Sequence, residues 1–325
     1  MSGVCYVYGI RMKLREKVKR KQRDSNFKLF QLNCILAGLK QASVKIDIII
    51  PAHNEAALIG KTLESLVSQT LLPRQLLVVD DNSSDSTAAV VEEYSAKFPF
   101  VRLIKSTSTA SHLPGSKVIN AFYKGYENLD EDYEVICKYD ADLIFPKNYL
   151  EKIAEHFNSD PKIGMAGGFC QISRNGEWVL ENLTNRDHLR GALKAYRKEC
   201  FLQIGKLKTS MGWDTVDELL AQYHGWKIKT DESLMVKHLK PTGMVYGKEA
   251  KLRQGEAFYK LHYGLPITLI ASAKLAFNKR KPGMFLDYLQ GYFKARSRRL
   301  PYLVSEKEGA FIRRLRYKKM LSKLF

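Results

Sequence analysis

Four short apolar runs, at 46–50, 76–79, 101–104 and 135–137, constrain what this chain can fold into more than any other feature. Each is rich in Ile, Leu or Val and has the length of a buried strand; Pro51 stops the first, and polar or acidic residues follow the others. Helical patterns lie between them. One, from about Glu55 to Gln69, puts Ile59, Leu63, Leu66 and Val67 on one face, with Asn54 placed to cap it. A second starts near Asp85 and holds Val90 and Val91, and a third starts near Ser116. Strand–helix alternation at this spacing implies an α/β fold with parallel pairing through right-handed crossovers. In open sheets of that kind, ligands bind at the carboxyl ends of the strands.

The fourth run leads into the segment VICKYDADLIFP, where Asp140 and Asp142 flank Ala141. In an extended segment, residues i and i+2 point to the same side. Two like charges so placed repel unless a cation sits beside them. Mg²⁺ is usually held by one or two carboxylates together with substrate phosphates, so a metal–diphosphate site is the sharp reading and a solvated acidic turn the plain one. Upstream, Asp80 and Asp81 close the second strand and can accept hydrogen bonds from a nucleobase or a ribose; Asp81-Asn82 as a simple turn and Asp85 as a cap are the alternatives. Lys117 falls in a first helical turn, an unfavourable place for a cation unless an anion is near, which hints at phosphate.

Charge divides the chain into three. Residues 1–45 hold 11 Lys/Arg against 2 Asp/Glu, residues 46–247 hold 23 against 27, and residues 248–325 hold 19 against 5. A mildly acidic centre between basic ends argues against a nucleic-acid-binding core and for an enzyme held near an anionic surface. The division expected is a basic helical extension over 1–44, a catalytic domain over 45–247 and an amphipathic basic helical region over 248–325. The five cysteines are scattered, without a C-x-x-C pair, so neither a zinc site nor a disulfide framework is indicated. The longest apolar run, 265–277, falls short of the roughly 18–20 residues a bilayer-spanning helix needs and contains Lys274. No signal-peptide pattern follows the basic run at 11–23, so a cytoplasmic location, peripheral at the inner face of the cell membrane, is expected.

The order of IIIPAHNEAALIGKTLESLVSQT, VVDDNSSDST, PGSKVINAFYKG and YDADLIFP resembles the catalytic domain of glycosyltransferase family 2, of the GT-A type, over roughly residues 44–245. The resemblance implies a Rossmann-like mixed sheet flanked by helices. It implies that Pro51, Ala52, His53 and Glu55 line a nucleotide pocket and that Asp81, or Asp80 beside it, holds base or ribose. Asp140 would meet the ribose side, and Asp142 would bind Mn²⁺ or Mg²⁺ on the diphosphate of a nucleotide sugar. The family more often has Tyr where this chain has His53.

In the second half, Met165 to Cys170 reads as a strand whose glycines allow close approach, and 185–200 as a helix or loop. Asp214, Asp217 and Glu218 open a helix that Gly225 closes, and the helix dipole alone would favour all three there. The resemblance singles out Asp214 as catalytic base, with Asp217 second, although Trp213 replaces the family's usual Glu. It also points to His238, at the end of another strand, as a group that ligates the metal or touches the diphosphate, a structural histidine being the alternative, and Lys240 is placed to assist the leaving phosphate. The acceptor expected is a carbohydrate or a lipid-linked molecule in envelope polysaccharide or glycolipid synthesis. Two helices are amphipathic: one over 27–39 with Phe27, Phe30, Ile35 and Leu39, and one over 309–325 with Phe311, Leu315, Met320 and Leu324 opposite a basic face suited to a membrane interface, with packing on the catalytic domain as the alternative for both. A nucleotidyltransferase would carry a Gly-rich loop after the first strand, which PAHNEAALIG lacks; a non-catalytic membrane-associated scaffold would have no need of Asp81, Asp140, Asp142 and Asp214 together.

Overall fold

Strand β1 (Ile46–Ala52) is an interior strand of the sheet, and its isoleucines are fully buried. It pairs in parallel with β2 (Gln75–Asp81) on one side and β4 (Val135–Tyr139) on the other, and β3 (Val101–Ser106) extends the sheet beyond β2. The structure, a computed structural model, describes residues 44–107, 116–181, 186–240 and 248–322. Helices α1 (Ile59–Val67), α2 (Thr87–Lys97) and α3 (Ser116–Tyr126) make the crossovers. The strand order reverses between β1 and β4, so the crevice outside their carboxyl ends is the natural place for a ligand.

Beyond β4 the sheet becomes mixed. The chain runs through β5 (Leu143–Ile144), α4 (Tyr149–Ser159), β6 (Ile163–Arg174), β7 (Glu177–Leu180), β8 (Leu193–Arg197), α5 (Lys198–Gln203), α6 (Trp213–Tyr223) and β9 (Lys227–His238). The path is β3-β2-β1-β4-β8-β6-β9-β5, with β7 on β6. β8 lies antiparallel between β4 and β6, so within the stretch expected as a helix or loop over 185–200, residues 186–192 are loop, 193–197 are instead a strand, and a short helix starts at Lys198. The predicted close approach is real. A Cβ on Gly168 would stand 2.0 Å from the Leu234 carbonyl oxygen, so only glycine lets β6 run beside β9 there.

The first helix also departs from expectation. It begins at Ile59, not Glu55, and Asn54 does not cap it. Asn54 has φ 55°, and its side-chain oxygen accepts from the Ser84 backbone N–H at 2.8 Å. The loop after β1 is tied in this way to the loop after β2. Further bonds run from Glu55 N–H to Thr87 Oγ1 (2.8 Å) and from Ala56 N–H to Asp85 (3.1 Å).

Among the described residues four helices follow β9: α7 (Lys248–Lys260), α8 (Gly264–Asn278), α9 (Gly283–Ser297) and α10 (Glu306–Leu321). They share a hydrophobic core with α6, through Phe258, Tyr288 and Ile312 among others. The membrane-facing role expected for α10 meets a correction. Its Phe311, Leu315 and Met320 pack against the core, and the Phe311 ring sits 5.5 Å from Tyr223. The helix expected over 27–39, and Leu324, lie outside the described residues.

Candidate active site

The carboxyl ends of β1, β2 and β4 bring the expected residues to one crevice. Each aspartate of the Asp140–Ala141–Asp142 segment has a cation of its own. Lys138, two residues before Asp140 and on the same side of β4, donates to Asp140 Oδ1 and to the Gly191 carbonyl (3.1 Å for the latter). Asp142 Oδ2 lies 3.4 Å from His238 Nε2. β5 makes this contact: Leu143 and His238 are register partners, and the Leu239 N–H donates to the Asp142 carbonyl at 2.9 Å. Asp142 is buried, whereas the Asp140 side chain is 35% exposed.

His238 is held from behind as well. Its Nδ1 is 2.9 Å from Glu181 Oε2, and Glu181 also pairs with Arg190. Burial works against a charge on the imidazole, but the carboxylates of Asp142 and Glu181 outweigh it and raise its pKa to about 9. With Nδ1 engaged by a buried carboxylate, Nε2 is the nitrogen turned to Asp142. A carboxylate oxygen beside an imidazole nitrogen whose other nitrogen is bound to a carboxylate is a donor set that fits a divalent cation.

Across the crevice, Glu55 is bound to Lys240 Nζ at 2.6 Å. Burial raises the Glu55 carboxyl above its usual range; Lys240 pulls the other way, and the charges of Asp142 and Asp140 add to the rise. Glu55 therefore lies within the field of both aspartates. Pro51 and Ala52 end β1 in register with Val79 and Asp80. His53 is exposed at the rim, with Nδ1 2.8 Å from the Asp81 carbonyl oxygen. Asp81 is buried, with Lys117 Nζ 3.5 Å from its carboxylate, which supplies the anion that a first-turn lysine calls for. Asp80 accepts from the Ser83 N–H at 3.3 Å and so shapes the turn after β2. Asp85 accepts from Thr87 N–H at 3.0 Å in the turn before α2, whose N-cap is Ser86.

The two candidate bases separate clearly. Asp214, in the first turn of α6, keeps a 36% exposed side chain, with His188 Nε2 4.0 Å away. Asp217 is 1% exposed and belongs to a buried cluster. Lys194 Nζ reaches both its oxygens, at 2.8 and 3.0 Å, and Tyr196 donates its hydroxyl at 2.6 Å. Glu218 joins that cluster through Lys194 (3.2 Å), His188 (2.9 Å) and the Leu189 N–H (2.8 Å). Burial disfavours the ammonium of Lys194, but Asp217, Glu218 and Asp214 more than compensate and hold its pKa above the ordinary value. Asp217 thus faces the interior as an ion-pair partner, which corrects its reading as a second base. Lys194 also donates to the Asp214 carbonyl and so anchors the turn that carries the exposed carboxylate.

Lys138, Lys194 and Glu181 were missed in the sequence. A lysine at i−2 from Asp140 in an otherwise apolar strand was a usable signal for the first. Glu181 had none, since it reaches His238 only across the sheet. Trp213 packs under both lysines, whose Nζ atoms stand 5.3 and 5.7 Å from its ring centre.

Residues 47–206 match the family model described as glycosyl transferase family 2. The chain is 30% identical over 149 residues to the probable glycosyltransferase YdaM of Bacillus subtilis, a match covering 43% of this chain and 33% of that protein. It is 32% identical over 178 residues to an uncharacterized glycosyltransferase of Mycoplasma genitalium, covering 50% of this chain and 57% of the relative. The chain thus spans from a third to somewhat over half of these relatives' lengths. A solved structure of a mannosyltransferase from Pyrobaculum calidifontis, in complex with GDP-Man and Mn²⁺, shares the fold. Its TM-score is 0.52 at 18% identity, over 86% of this chain and 81% of that one.

Proposed function

Residues 47–206 of this chain belong to glycosyltransferase family 2, on a GT-A fold, and from that premise we propose that the protein transfers a sugar, with inversion, from a nucleotide-diphosphate sugar to an acceptor hydroxyl in a metal-dependent reaction. The observation that carries the reading is the pairing of Asp142 with His238 at the strand-order reversal, with Asp140 and Glu55 beside it. Asp142 and His238 would hold Mn²⁺ or Mg²⁺, with Glu181 fixing the imidazole. When bound, the cation supplies Lewis-acid neutralisation of charge on the leaving diphosphate.

The chain's own groups do the rest. Asp81, set by Lys117, holds base or ribose; Pro51, Ala52 and His53 wall the nucleotide site, and Asp140, oriented by Lys138, meets the ribose side. Lys240 stands by Glu55 to assist the departing phosphate. Asp214 takes the proton from the acceptor hydroxyl at its Oδ as that hydroxyl attacks from the face opposite the leaving group. Its partial exposure lets an acceptor reach it, and Lys194 keeps its helical turn in place.

The acceptor class we infer is a carbohydrate or lipid-linked molecule of the cell envelope, reached from a peripheral position at the membrane. Support comes from the basic ends of the chain. No helix among the described residues is long and apolar enough to cross a membrane. The deciding experiment is a screen of nucleotide sugars for Mn²⁺-dependent hydrolysis, with calorimetry of nucleoside diphosphates in the presence of Mn²⁺. Hydrolysis of at least one donor, abolished by Asp142→Ala, is the expected result. A scaffold would bind none.

A further inference from the structure

Helix α8 presents an apolar ridge to solvent. Leu265, Leu269, Ala273 and Phe277 follow one another at intervals of four residues, which aligns them along one side of a helix, and Ile270 lies next to that row. Leu265, Leu269, Ile270 and Phe277 are 36, 38, 50 and 83% exposed. The other side of the same helix buries Ile267, Thr268, Ser272 and Ala276. The ridge is therefore surplus to the core, unlike the apolar side of α10.

The charge beside it has one sign. Lys274 on the helix, and Lys279, Arg280 and Lys281 in the turn that follows, are all exposed, and residues 264–286 contain no Asp or Glu. An apolar ridge bordered by cations matches a surface that is apolar inside and anionic at its boundary. A protein partner with an apolar patch would not call for four cations without a single acid. We propose that the exposed side of α8, with its basic turn, is the face by which this protein lies on an anionic lipid bilayer. The ridge enters the acyl boundary, and Lys274 and the 279–281 turn meet lipid phosphates. This deepens the peripheral location proposed above and is independent of the transfer chemistry.

The test is flotation of the full chain with phosphatidylcholine vesicles and with vesicles containing phosphatidylglycerol. The wild type is expected to float with the second and not the first, less so at high salt. Leu269→Glu with Phe277→Glu should lower the vesicle-bound fraction by about tenfold or more. Replacing Lys279, Arg280 and Lys281 by Gln should weaken binding to anionic vesicles by about tenfold or more. A thermal melt checks folding, and Ile270→Gln serves if the double variant melts early. Donor hydrolysis in solution should stay unchanged in all of them, so failure of the lipid contact is distinct from failure of the transferase reading. The proposal is overturned if the wild type does not float, if the α8 variants float as well as it does, or if they only convert a dimer to a monomer in sedimentation. It is also overturned if flotation appears only after residues 1–43 are removed, since that segment would then be what covers the ridge.

Discussion

Asp142 Oδ2 stands 3.4 Å from His238 Nε2, and the far nitrogen of the same ring stands 2.9 Å from Glu181 Oε2. A histidine clamped between two buried carboxylates has its ring orientation fixed before any ligand arrives. Replacing the outer carboxylate should therefore loosen a metal held by the imidazole. Glu181→Gln is expected to lower Mn²⁺ affinity by about 10–100-fold. Calorimetry with Mn²⁺ and a nucleoside diphosphate measures it; unchanged affinity would show that Glu181 does not support a metal-bound His238.

Asp214 and Asp217 lie one helical turn apart and predict opposite phenotypes. Asp214→Asn removes a partly exposed carboxylate at the crevice. Turnover should fall by about 10²–10⁴-fold, the usual worth of general-base help. Donor binding and thermal stability should hold. Full turnover in this variant, read in a coupled assay for released nucleoside diphosphate, would end the base assignment.

Asp217→Asn should act through stability. It leaves Lys194 buried with Glu218 as its remaining carboxylate partner. Breaking a buried pair costs about 3–5 kcal/mol, and Glu218 places this case at the low end. Urea unfolding reads the loss, and the double replacement Lys194→Met with Asp217→Leu should be milder than Asp217→Asn alone.

Asp130 offers a pH signature away from the crevice. Its carboxyl is pulled down to about 2, first by the hydrogen bond from Arg74, against an ordinary 3.8. A depressed folded-state value stabilises above the unfolded value and is lost as the pH falls through the folded one. The wild type should therefore exceed Asp130→Asn in urea midpoint above about pH 4, and the gap should close as the pH drops to about 2. A gap that persists at the acid end would contradict the Arg74 pairing.

Much of the sheet could be read in advance because its signals are local. A strand buried on both faces is nearly continuous in apolar residues, so Ile46–Ile50, Leu76–Val79 and Val135–Cys137 announced themselves, as did the acids that follow the second and third of these. Family resemblance then marked Asp142 and His238, and the register of β5 on β9 brings the two together. The boundary at α1 was misplaced because Asn54, a good capping residue, is used to tie two loops together instead.

What the sequence by itself determined is the succession of strands, the acids at their carboxyl ends and the presence of apolar sides on the terminal helices, since each follows from periodicity within a few residues. Tertiary structure alone decided which cation each aspartate meets, which of two acids a turn apart is sunk against Lys194, and that α10 spends its apolar side on the core while α8 keeps its own exposed. Those outcomes depend on which distant segment arrives at a surface. Spacing along the chain records that a side chain is apolar or charged, and not what will come to rest against it.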